Sequence, residues 1–133
     1  MLRKLRASLI WLQMRRKYRD GDLGGALLLA ARLRELGVTS PMLDAKEATL
    51  LTLTRRFDEA NRMFREIASR TAQSSEPDLQ YVHEYCRYQL EIAAGDRDKA
   101  EKQRLVAKNV VASKLVTSEL PILNESLPSE WFD

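Results

Sequence analysis

Apolar residues recur along the chain at intervals of three and four, and short polar or glycine-bearing breaks interrupt them at regular distances. Leu2, Leu5, Leu9 and Leu12 form the first row, which ends at Asp20-Gly21-Asp22. Leu23, Ala26, Leu27, Ala30, Leu33 and Leu36 form the second, stopped by Gly37, a residue suited to the left-handed backbone in which helices end. Ser40-Pro41 then offers a capping hydroxyl and a proline at the first helical position, where its missing N–H costs nothing. A third helix follows to about Arg55, and Phe57, Ala60, Phe64 and Ile67 mark a fourth. The polar run Gln73 to Asp78, with Ser75 and Asp78 spaced as a capping box, predicts a loop entering a fifth helix along Val82, Tyr85, Cys86, Ile92 and Ala93. Gly95-Asp96 breaks that helix, and Ala100, Ala107, Val110 and Val111 carry a sixth. Nothing alternates with period two for long enough to be a strand.

Helices of this length joined by short turns pair as antiparallel hairpins, here over residues of about 2–36, 40–71 and 77–114. The fold class is therefore all-α, with about six helices in a domain over residues 1–115 and a C-terminal tail over 116–133. A chain of 133 residues with 44% apolar side chains, 5 Gly and 4 Pro suits one helical domain better than a loop-rich β fold. A small residue opens the second helix of each hairpin, at Ala26, Ala60 and Ala100. Small side chains there let paired helices approach closely.

The first of those spacings is the tetratricopeptide period of about 34 residues, and Ala60 is followed four positions later by the aromatic Phe64. In these respects residues of about 4–113 resemble the tetratricopeptide repeat family, with Gly21-Asp22 and Gly95-Asp96 where that family often turns. The sequence departs from the pattern at Ala48 and Leu51, where the family carries Gly and Tyr, and at Ala30 and Arg104, where it carries an aromatic. The last spacing is also longer than the first. The resemblance implies a short right-handed solenoid of stacked hairpins. It further implies that the first helices line a concave surface, with Ser8, Trp11, Arg15 and Tyr18, then Met42, Ala45, Thr49 and Thr52, then Val82, Tyr85 and Gln89. Family members that clamp a carboxylate use Lys and Asn at positions held here by Trp11, Arg15, Ala45 and Thr49, so the clamp is not expected. A groove of this composition suits a helix or peptide of a partner protein bound through apolar anchors.

Charge adds a second candidate surface. Residues 1–70 carry 15 basic and 8 acidic side chains, and residues 71–133 carry 7 and 11. The excess is concentrated in Arg3, Lys4, Arg6, Arg15, Arg16, Lys17 and Arg19, which meet no acidic residue before Asp20. This patch could face only solvent, or meet the phosphates of a nucleic acid or of an anionic membrane surface. The apolar run from Ala7 to Met14 is too short and too interrupted for a signal sequence or a membrane span. One Cys and one His leave little for catalysis or metal binding: Cys86 and His83 share a helical face, but no third group orients them. Gly24-Gly25 lacks the Lys-Ser/Thr pair of a phosphate loop. No enzyme activity and no cofactor are expected, and a lone thiol is compatible with the reducing cytoplasm.

From Thr117 onward the chain holds four acidic residues, no basic one, and the apolar set Leu120, Ile122, Leu123, Leu127, Trp131 and Phe132. The terminal helix of a stacked array leaves an apolar face open. The tail is therefore expected to dock through Trp131 and Phe132, either on its own helical body or on a second molecule to make a homodimer.

Overall fold

The computed structural model describes residues 2–113. Six helices follow one another: α1 (Leu2–Arg19), α2 (Leu23–Glu35), α3 (Pro41–Leu53), α4 (Phe57–Thr71), α5 (Pro77–Ala93) and α6 (Arg97–Ser113). No strand occurs among the described residues. Each helix packs on the next, and α3 also touches α5. The pairs α1–α2, α3–α4 and α5–α6 are in contact, and α4 packs on α5 as well. The expected tail with its anchors Trp131 and Phe132 lies outside the described residues.

The turn inside each pair is built in one way. Gly21 takes φ 80°, its N–H donates to the Tyr18 carbonyl at 3.1 Å, and the Asp22 N–H donates to the Lys17 carbonyl at 2.9 Å. Gly95, at φ 80°, repeats this with Ile92, and Asp96 repeats it with Glu91. These paired bonds satisfy carbonyls that a helix end would otherwise leave bare. The middle turn copies the geometry with Arg55 at φ 65°, a conformation that crowds the Cβ of any residue but glycine.

The capping that follows also differs in the middle turn. The carboxylates of Asp22 and Asp96 accept from the N–H groups of Gly25 at 2.9 Å and Lys99 at 3.0 Å, whereas Arg56 makes no side-chain cap. The Gly25 bond, and after it Lys17, hold the Asp22 carboxyl below its ordinary value. Its contribution to stability is therefore complete above the unfolded-state value and is lost as pH falls through the lowered folded-state one. In every case the helix opens with the N–H of the small residue, Ala26, Ala60 or Ala100, donating to the turn carbonyl, and all three alanines are buried. The longer second spacing arises inside the helices: α4 exceeds α2 by two residues and α5 exceeds α3 by four, while the connections between hairpins are equal in length.

Ser40 caps α3 as its position predicts, accepting from the Met42 N–H at 3.2 Å with Pro41 at the start of the helix. Ser75 does not cap α5. That helix begins at Pro77 behind Glu76, and it is the Ser74 hydroxyl that accepts from the Glu76 N–H, at 3.2 Å.

The apolar row read along α1, Leu2, Leu5, Leu9 and Leu12, points outward, and Ala7, Trp11 and Met14 of the same helix are buried. The helix has two opposed apolar faces, and among the described residues its only backbone neighbour is α2. The face bearing the indole packs inward, where a large ring removes more apolar surface from water than a leucine does. Phe57 and Ile92, at the outer ends of their helices, are likewise exposed.

The shared turn makes an opposite-sign prediction. Arg55→Gly should stabilise the protein by about 0.5–1 kcal/mol by removing left-handed strain, and Gly21→Ala should destabilise it by about 1 kcal/mol. Urea unfolding of the two variants beside the parent checks both. Equal signs would show that the two turns are not equivalent.

Candidate functional site

The residues expected to line a concave surface sit on α1, α3 and α5, and the structure links most of them. Trp11, Met14, Arg15 and Tyr18 of α1 enclose a small cavity with Lys46, Thr49 and Leu50 of α3. Its volume of about 10 Å³ is at the lower limit for holding one water molecule. The ammonium of Lys46 lies 5.6 Å from the centre of the Tyr18 ring, within cation–π range. Lys46 is only 6% exposed, so its aliphatic stem belongs to the packing.

Thr49 carries the line on to α5. The Tyr85 ring is fully buried, its hydroxyl lies 2.6 Å from the Thr49 hydroxyl, and the Gln89 amide donates to it at 3.0 Å. Thr49 uses its one hydrogen on the Ala45 carbonyl at 2.8 Å, which fixes the direction of the remaining bond. Gln89 donates to Tyr85, Tyr85 to Thr49, and Thr49 to the backbone of α3. Desolvation pushes the Tyr85 phenol far above its ordinary value, against the smaller opposing effects of Thr49 and Gln89, so it stays protonated. Phe64 of α4 meets the same ring edge to face at 6.1 Å, and Tyr88 lies 6.4 Å away.

Burial divides the expected binding residues. Trp11, Met42 and Tyr85 are buried, and so is Ala45, so they hold the frame and offer no open surface. This corrects the expectation of an exposed aromatic lining. Arg15, Tyr18, Thr49 and Gln89 remain partly exposed along one line across the three first helices. Lys46 and Leu50, both buried, underlie that line without having been singled out in the sequence. The signal for Lys46 was available, since it stands four residues after Met42 and three before Thr49, on one helical face. A lysine is normally taken as solvated, which is why the pattern passed over it.

The basic patch separates into parts. Lys4, Arg6, Arg16, Lys17 and Arg19 are exposed, Arg15 turns toward the cavity, and Lys17 pairs with Asp22 at 3.4 Å. Arg3 belongs to the same helix. A further charged cluster ties α2, α3 and α4 together: the Asp44 carboxylate accepts from Arg34 at 2.7 Å and from Arg70 at 2.8 Å, and Arg34 also pairs with Glu47.

The groups with chemical potential are occupied by structure. Burial drives the Cys86 thiol well above its ordinary value, with Arg70 opposing and Asp44 adding, which leaves no thiolate to act as a nucleophile. His83 Nδ1 lies 2.9 Å from the Ala68 carbonyl and 3.2 Å from the Thr71 hydroxyl, and Thr71 itself donates to Ile67 at 2.8 Å. With the proton on Nδ1, the ring joins α5 to the end of α4 and is held by the backbone. The Gly25 N–H is already taken by Asp22. Among the described residues no group of three or more His, Cys, Asp or Glu is placed to hold a metal ion, and no helix is long and apolar enough to cross a membrane.

The hydroxyl relay should be cooperative. Tyr85→Phe and Thr49→Val should each cost about 1–3 kcal/mol, because each strands a buried partner, while the double variant should cost less than their sum by about 0.5 kcal/mol or more. A double-mutant cycle by urea unfolding checks this, and strict additivity would mean that the two hydroxyls do not interact. Comparison with known proteins finds no family model, no curated protein and no solved structure that matches this chain.

Proposed function

We propose that this chain is a non-enzymatic protein-interaction module, an adaptor or small chaperone, in which three helical hairpins stack as a short right-handed tetratricopeptide-like array. Its first helices hold a helix or peptide segment of another protein. The observation that carries this reading is the partly exposed set Arg15, Tyr18, Thr49 and Gln89, laid across α1, α3 and α5 and linked beneath by the buried Lys46 and Tyr85. α3 and α5 touch, and the side chains of α1 reach α3 around the small cavity, a succession of first helices that a hairpin array would provide. The turn repeated at Gly21, Arg55 and Gly95, each five residues ahead of a buried alanine, supports the same arrangement.

The chemistry of the line favours a ligand with an acidic or carbonyl-rich end and apolar anchors. Arg15 and Lys46 supply cations at the α1 end, and Thr49 and Gln89 supply neutral hydrogen-bonding groups toward α5. The aromatic residues beneath keep these side chains in place and limit the ordering cost on binding. We assign the module to the cytoplasm, because its single thiol is buried and needs no oxidised partner.

Affinity capture from the native cell extract, read by mass spectrometry, tests the reading. A captured protein should be retained by Arg65→Glu, an exposed change on α4, and weakened about tenfold or more by Arg15→Glu or Gln89→Ala. The capture should also survive about 1 M salt, where the screening length falls to about 3 Å. An identical set of captured proteins for Arg15→Glu and for the parent would overturn the proposal.

A further inference from the structure

The outward leucines of α1 form a surface separate from the line described above. Leu2, Leu5, Leu9 and Leu12 are 83, 59, 52 and 41% exposed. At about 100° per residue they fall within an arc of about 80°, opposite the face that carries Ala7, Trp11 and Met14 into the core. The same spacing sets Arg19 on one flank of the row and Arg6 and Lys17 on the other, and Arg16 continues the row itself. The helix contains no acidic residue. It also stands at one end of the helix succession, with α2 as its only backbone neighbour among the described residues.

An apolar row flanked on both sides by long basic side chains suits a flat, negatively charged surface with an apolar interior. Leucines enter the acyl boundary while the arginine and lysine stems reach back to the phosphates. A second copy of the same face fits poorly, because apposing two such helices sets cation against cation. A deep protein groove fits poorly too, since it would desolvate Arg6 and Arg16 along with the leucines. We propose that the outer face of α1 docks the folded protein on anionic phospholipid surfaces, with the helix lying in the plane of the headgroups. In that pose Trp11, Arg15 and Tyr18 lie on the side of α1 away from the lipid, so the line of partner-binding residues stays open. The inference does not depend on the proposed protein-binding function.

Cosedimentation of the full chain with phosphatidylcholine vesicles, with and without phosphatidylserine, provides the test. The parent should bind the serine-containing vesicles and bind phosphatidylcholine alone far more weakly. The pair Leu5→Ser, Leu9→Ser should reduce binding about tenfold or more, and the pair Arg6→Ser, Arg16→Ser by about tenfold or more, at fivefold per cation. All four positions are exposed, so circular dichroism should show unchanged helix content and exclude misfolding as the cause. Absence of binding to anionic vesicles would overturn the proposal. So would leucine variants that bind like the parent, which would indicate charge attraction alone, as toward a nucleic acid. A parent dimer that the leucine variants convert to monomer in light scattering would assign the face to self-association instead.

Discussion

A phenol hydroxyl sealed inside a helical core must find partners, and at Tyr85 this requirement fixes how three helices meet. An unpaired hydroxyl there would cost about 1–3 kcal/mol, a large fraction of the stability of a small protein. Thr49 on α3 and Gln89 on α5 satisfy it, and Phe64 on α4 closes over the ring. Because Thr49 is itself committed to the Ala45 carbonyl, α3 cannot rotate about its axis without breaking the relay. The partly exposed side chains beside it, Thr49 on α3 and Gln89 on α5, take their positions from this buried contact.

The turns do for the backbone what the relay does for the side chains. Each reverses the chain over the same pair of hydrogen bonds and delivers a buried alanine to the contact between paired helices. Two use glycine and aspartate. The middle one uses Arg55 and Arg56 and forgoes both the conformational freedom of glycine and the aspartate cap. That α3 and α4 still pair in the same way shows that packing around Phe64 and Leu51 outweighs the local penalty, which is about 1–2 kcal/mol for a left-handed arginine.

Much of the helical order was legible in the sequence, because glycine, proline and capping residues mark ends through local sterics. Gly37, Ser40-Pro41 and Gly95-Asp96 fall at helix ends in the structure as their chemistry requires. The Arg55 turn was not legible, since nothing in the residue type signals a left-handed backbone. The faces of α1 were not legible either: Leu2, Leu5, Leu9 and Leu12 make as good an apolar row as Ala7, Trp11 and Met14, and contacts with other helices, α2 and α3, decide which row is covered. For the candidate site, the register implied by the family resemblance picked out Arg15, Tyr18, Thr49, Tyr85 and Gln89, which the structure places on α1, α3 and α5. Which of them are buried depends on contacts between helices, which spacing within one helix does not carry.

The central claim is that the buried Tyr85 contact joins α3, α4 and α5 into one cooperative unit, on which the line of candidate binding residues rests. Native-state hydrogen exchange tests it most directly. The slowest amides of α3, α4 and α5 should share a single opening free energy, equal to that of global unfolding. If the amides of α3 instead open at a distinctly lower free energy while α5 stays protected, the relay does not hold these helices together and the account is contradicted.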